Sequence, residues 1–277
     1  MNKITKAIIP VAGWGTRRLP ITKIIEKCML PIGNRPIVDY IVEDCVHGGI
    51  TDIYFVINET KHSQLKAYYS EHPAYEKYLA EKGKDTSILD TKPAGVDFHF
   101  SVQPVGKYGT AVPIAIAVKD FGLDEPVVMC NGDDPFWNVP SGSVVKDLIA
   151  VPQNPDEAAI MGVEREREEM PNFGNLIVAN GLLQEIVEKP KLKDVKSTLA
   201  NINRYVLSPR LLRMIVDYVD NFDISQNVRG EYEVTDPVTS YVQGGNLMRV
   251  IAAQGDWLES GSLEGWLHAN EVIGRDH

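Results

Sequence analysis

With 277 residues, 44% hydrophobic and 24% charged, the chain has the make-up of a globular protein long enough for one large α/β domain or two small ones, which excludes disordered and fibrous readings. No run approaches the ~18 apolar residues of a membrane span. Residues 1–6 show no targeting pattern, and Cys28, Cys45 and Cys130 form no C-x-x-C pair, so unpaired thiols and a cytoplasmic location are expected, with no structural zinc. The net charge of −10 disfavours nucleic acid or an anionic membrane as partner. Yet residues 1–38 hold seven basic side chains (Lys3, Lys6, Arg17, Arg18, Lys23, Lys27, Arg35) against one acid, Glu26. That local excess predicts a pocket for a small, highly charged anion, a solvated basic face being the competing reading.

In chain order, residues 6–12 are apolar and β-branched and run into Gly13 and Gly15, which predicts a buried strand meeting a tight loop. Pro36 opens a helix whose apolar residues recur at helical spacing up to Gly48-Gly49, and residues 52–57 read as a second strand. Such a β-α-β unit implies a parallel sheet covered on both faces. A polar helical stretch over 61–82, a strand over 97–102, a helix over 110–119 and a strand over 127–130 continue the alternation. From residue 158 the texture changes: apolar runs flank Asn180-Gly181, a strong hairpin signal. Ser208-Pro209 begins another helix, and Thr235-Asp236 is expected to cap one more. With no linker and no internal repeat, residues 1–277 are read as one domain, a mixed α/β fold with an antiparallel elaboration in its second half.

Two segments carry candidate chemistry. In Gly13-Trp14-Gly15-Thr16-Arg17-Arg18, backbone N–H groups can approach a phosphate closely because glycine has no Cβ. The third glycine of the dinucleotide fingerprint is replaced by Arg18, and no Walker A sequence occurs. Arg17 and Lys27 add charge suited to phosphate, whereas Arg18 is read as a solvated neighbour. Asn131-Gly132-Asp133-Asp134 follows an apolar strand, where open α/β sheets place ligands, and paired acids there would suit Mg²⁺; a plain polar turn is the alternative. The histidines show no ligand spacing, no G-x-S-x-G elbow exists, and Tyr68, Tyr69, Tyr75 and Tyr78 are expected to pack rather than stack on bases.

The stretch from Lys6 through Gly13-Trp14-Gly15-Thr16-Arg17, then Leu19-Pro20, Thr22-Lys23, Lys27 and Met29-Leu30-Pro31, resembles the opening of bacterial UTP-glucose-1-phosphate uridylyltransferases, a branch of the sugar nucleotidyltransferases. Further landmarks fall in family order: Gly109-Thr110-Ala111, Gly132-Asp133-Asp134, Phe173-Gly174, Glu188-Lys189-Pro190, Arg204-Tyr205, Gly230-Glu231 and Gly255 to Gly261. The resemblance implies the nucleotide-diphospho-sugar transferase fold, with a mostly parallel mixed sheet between helices, and homo-oligomers. Residues 1–134 would mainly serve the nucleoside triphosphate and 135–277 the sugar 1-phosphate. It places Ala12, Gly13, Gly15, Thr16, Gln103 and Gly109 on the nucleotide, and Arg17 and Lys27 on its phosphates. Gly174, Glu188 and Lys189 fall to the sugar phosphate, and Mg²⁺ falls to Asp133 and Glu259. Three positions depart from the family: Val105-Gly106-Lys107-Tyr108 replaces a glycine-rich loop, Asn203 stands for glycine, and Glu259 stands for aspartate. Another base or hexose therefore stays open, as does an inactive nucleotide-sugar-binding paralogue. No triad is needed: a phosphate monoester with second pKa ~6 is already mostly dianionic at neutral pH, so cations plus Mg²⁺ suffice for in-line transfer.

Overall fold

The computed structural model describes residues 3–60, 63–226 and 230–275. Its strands and helices run in the order β1 (Lys6–Pro10), α1 (Ile37–His47), β2 (Asp52–Asn58), α2 (Ser63–Tyr68), α3 (Pro73–Glu81), β3 (Asp97–Gln103), α4 (Ala111–Phe121), β4 (Val127–Met129) and α5 (Val144–Ile149). The second half adds β5 (Ala158–Glu164), β6 (Gly174–Ala179), β7 (Leu182–Glu188), β8 (Leu199–Leu207), α6 (Pro209–Asn221), α7 (Thr235–Gln243), β9 (Met248–Ala252) and α8 (Leu263–Gly274).

Side-chain alternation on the strands decides the layers. In β1, Ile8 joins a core with α4, α6 and α7, whereas Ala7 and Ile9 point the other way into a core with α1 and α5. Each of the two fully buried isoleucines contributes roughly 1.5–3 kcal/mol. The nine strands form one mixed sheet in the order β3-β2-β1-β4-β8-β5-β9-β7-β6. The first four are parallel neighbours; β8 then runs antiparallel to both β4 and β5, and the β6–β7 hairpin closes the far edge. Asn180 and Gly181 both take positive φ, as the hairpin signal requires.

Several expectations are corrected. The stretch over 61–82 is two helices, α2 and α3, with Lys61 and His62 outside the described residues, as are Met1 and Asn2. Tyr69 packs on Phe55 and Phe98, but Tyr75 and Tyr78 are exposed. Thr235 does not cap α7; it is the first helical residue, and Thr110 Oγ1 accepts the Val234 N–H at 2.8 Å instead. The three cysteines are free and buried, as expected. Among the described residues, no helix is long and apolar enough to cross a membrane.

Two small features aim the C-terminal segment at the carboxyl ends of the parallel strands. Asp256–Trp257 pairs antiparallel with Phe136–Trp137, and the Leu258 N–H bonds the Pro135 carbonyl at 2.9 Å, so the chain after Trp257 runs beside the loop following β4. Beneath it, Leu258, Ala269 and Ile273 pack against Leu30, Ile32, Ile37 and Tyr40, fixing α8 to the N-terminal segment.

Candidate active site

The loops after β1 and β4, the base of the β6–β7 hairpin and the segment before α8 enclose a cavity of about 460 Å³. Gly13, Gly15, Thr16 and Arg17 line it from the first loop, and Arg17 is solvent-exposed with no ion pair among the described residues. The loop's root is pinned from β2, because Asn58 Nδ2 donates to the Ala12 carbonyl at 3.0 Å. Ala12 itself is buried behind the wall.

Lys27, Asp133 and Glu259 meet close to that loop: a Cβ on Gly15 would lie 3.2 Å from the Lys27 Cβ. The Lys27 ammonium is ion-paired with Asp133 Oδ2. Glu259 accepts hydrogen bonds from Ser262 N at 3.2 Å and Ser262 Oγ at 2.9 Å, which orients its carboxylate at the start of α8. Gly261 makes this convergence sterically possible: a Cβ there would lie 2.5 Å from Glu259 Oε1, 3.2 Å from Lys27 Nζ and 3.7 Å from Asp133 Oδ2. Burial opposes the Lys27 charge, but Asp133, Asp134 and Glu259 outweigh it and hold the ammonium's pKa above its ordinary value. Burial, and then the Asp133 charge, push the Asp134 carboxyl up to about 7. Asp256, a further acid in the segment before α8, does not line the cavity and accepts from Asn138 Nδ2 at 2.8 Å.

The loop carrying both aspartates is held from below by Arg204. This fully buried guanidinium pairs with Asp44 of α1, donates to the Asp134 carbonyl at 2.9 Å and lies over the Phe136 ring. At the far end, Gly174 and Glu188 are cross-strand partners, and Lys189, with φ 44°, donates its N–H to the Phe173 carbonyl at 3.0 Å.

Of the residues expected in the site, Gly13, Gly15, Thr16, Arg17, Lys27, Asp133, Gly174, Glu188, Lys189 and Glu259 line the one cavity. Ala12, Gln103 and Gly109 do not. Gln103 ends β3 and donates to the Lys107 carbonyl at 3.1 Å. Gly109, with φ 124°, lies so close to the 230s segment that a Cβ would come within 2.3 Å of the Tyr232 carbonyl oxygen. Its neighbour Thr110 does line the cavity, as do Asn131, Asp134, Asn201, Asn203, Glu233 and Trp257. The Asn131 to Asp134 segment, the landmarks around Gly109 and from Gly255 to Gly261, and the departure at Asn203 were signals for most of these; nothing local marked Asn201 or Glu233.

Of the basic side chains in residues 1–38, Arg17 and Lys27 line the cavity, but Lys6, Arg18 and Arg35 do not. Lys6 pairs with Glu125, and Arg35 pairs with Asp39 and Glu43. Arg18 is buried, donates from Nη1 to the Ser262 carbonyl at 2.8 Å and lies over the Trp266 ring at 4.8 Å, so it is no solvated neighbour. Replacing Arg18 by alanine is expected to remove about 2 kcal/mol and lower the unfolding midpoint by about 5 °C, measured by calorimetry. The cavity wall carries Arg17, Lys27 and Lys189 against Asp133, Asp134, Glu188, Glu233 and Glu259. That excess of acid would favour an added cation, and carboxylates are hard oxygen donors of the kind Mg²⁺ takes. Among the described residues no group of three or more His, Cys, Asp or Glu forms a metal cage. A Mg²⁺ site of one or two carboxylates completed by phosphate oxygens and water requires none.

A family model described as nucleotidyl transferase matches residues 6–275. A UTP–glucose-1-phosphate uridylyltransferase of Bacillus subtilis (strain 168) is 33% identical over 252 residues, covering 86% of this chain and 80% of the relative. UTP–glucose-1-phosphate uridylyltransferase 2 of Streptococcus pyogenes serotype M1 is 34% identical over 226 residues, covering 78% and 74%. The solved structure of UTP-bound UGPase from Acinetobacter baumannii superposes with a TM-score of 0.86 at 25% identity, covering 99% of this chain and 94% of that one. The mixed sheet, the glycine loop facing paired acids and the match over nearly the whole length together make this chain a member of the nucleotidyl transferase family.

Proposed function

We propose that this chain joins UTP and glucose 1-phosphate to give UDP-glucose and pyrophosphate. The observation that carries this reading is the meeting of Lys27, Asp133 and Glu259 around Gly261, in the same cavity as the glycine loop and the Gly174, Glu188 and Lys189 corner. The relatives' names supply the choice of base and sugar. Residues 1–134 then serve mainly the nucleotide and 135–277 mainly the sugar phosphate.

In this reading the N–H groups from Ala12 to Thr16 cradle the triphosphate and Arg17 neutralises it. The base extends past Thr110 towards Gln103, with Gly109 keeping that wall tight against Tyr232. Glu188 accepts sugar hydroxyls, and Lys189 grips the sugar phosphate and points it at the α-phosphorus. Asp133 and Glu259 would hold Mg²⁺, which when bound supplies positive charge against the phosphates. Lys27 supplies a fixed second cation, and its ion pair with Asp133 keeps both groups in register. Because the attacking phosphate is already anionic, rate comes from alignment and charge neutralisation.

Lys189→Ala is expected to weaken glucose 1-phosphate binding about tenfold or more while changing UTP binding less, since the charge-assisted bond it removes contributes roughly 1.5–3 kcal/mol. Titration calorimetry with each ligand checks this. The reverse order of effects would remove Lys189 from the sugar phosphate.

A further inference from the structure

β8 breaks register between Asn201 and Arg204, and the extra residues are pushed towards the cavity. Asn203 there takes φ 53°, a left-handed conformation that asparagine tolerates better than most residues. Its side chain is locked in a closed relay. Asn201 Nδ2 donates to the Tyr205 hydroxyl at 3.0 Å, that hydroxyl lies 3.1 Å from Asn203 Oδ1, and the Asn203 N–H donates to Asn201 Oδ1 at 2.9 Å. Tyr205 is fully buried, and burial raises its pKa, so its hydroxyl stays a proton donor. With Oδ1 taken by Tyr205, the amide group of Asn203 is the part left over, and among the described residues its Nδ2 has no partner. It lines the same cavity as Gly174, Glu188 and Lys189.

We infer that Asn203 is a specificity residue of the sugar subsite, presenting a fixed N–H donor to one hydroxyl oxygen of the hexose 1-phosphate. The inference rests on the proposed function, because it takes the Glu188 and Lys189 end as the sugar end. A donor held by two buried neighbours loses little freedom when it binds, so it discriminates by geometry: an epimer whose hydroxyl points elsewhere leaves the amide unpaired. Glycine at 203 adopts the same backbone without strain and removes the donor. Aspartate keeps the acceptor for Tyr205 but offers no N–H.

The test measures kcat/KM for glucose, galactose and mannose 1-phosphates with UTP in the wild-type chain, Asn203→Gly and Asn203→Asp. Both variants are expected to lose about 5- to 10-fold on the preferred sugar and to narrow its preference over at least one epimer, with KM for UTP within twofold. Retention of the wild-type preference by Asn203→Gly, or by Asn203→Asp, overturns the inference while leaving the proposed function standing. Absence of pyrophosphate release by the wild-type chain from every pair overturns the proposed function and this inference with it.

Discussion

Arg17→Ala is expected to slow pyrophosphate release by about 10²–10³, roughly 3–4 kcal/mol of barrier, and to leave the unfolding midpoint unchanged. The two halves of that expectation come from different observations. The side chain lines the cavity, so its charge is available to a triphosphate whose negative charge shifts during transfer. It is exposed and holds no ion pair among the described residues, so the fold does not depend on it. Arg18→Ala should show the opposite profile, a lower midpoint with smaller loss of turnover in the folded fraction. Parallel rate and calorimetric measurements on both variants check the pair; equal small rate effects would remove Arg17 from the phosphates.

Glu259→Gln is expected to raise the Mg²⁺ concentration needed for half-maximal turnover by about 10²-fold or more. The amide keeps an acceptor for Ser262, so the start of α8 is preserved while the negative charge is lost. Glu259→Asp should retain much of the activity, because it keeps the charge and shortens the side chain by only one methylene. Asp256→Asn serves as control, since Asp256 faces Asn138 outside the cavity. Metal titration of turnover, with Mn²⁺ binding followed separately by paramagnetic resonance, reads both consequences. Full activity of Glu259→Gln combined with loss in Asp256→Asn would show that the wrong carboxylate carries the metal.

The sequence made some of this legible for physical reasons. The glycine loop is contiguous, so its place after a buried strand and at the cavity could be read together. The β-α-β start and the hairpin at Asn180-Gly181 were likewise local patterns. Arg18 was misread because adjacency to Arg17 does not say which side chain turns inward; that depends on Ser262 and Trp266, some 240 residues away. The basic excess in residues 1–38 pointed to Arg17 and Lys27, but could not say which of its other cations stay out of the cavity. Lys6 finds its partner in distant Glu125, and Arg35 finds Asp39 and Glu43 just past the segment's edge. Asn203 was marked by its departure from glycine, but Asn201 was hidden by the register break in β8, which no apolar period announces, and Trp257 is placed by its pairing with Phe136.

The most direct measurement is pyrophosphate release by the purified chain across UTP, dTTP, CTP, ATP and GTP, each with glucose, galactose or mannose 1-phosphate, with Mg²⁺ and again with EDTA, the products identified by mass. UTP with glucose 1-phosphate is expected to be the best pair, with UDP-glucose formed in equal amount to pyrophosphate and both abolished by EDTA. Release that is faster with another pair, UDP-glucose formation undiminished by EDTA, or no pyrophosphate from UTP and glucose 1-phosphate would contradict this expectation.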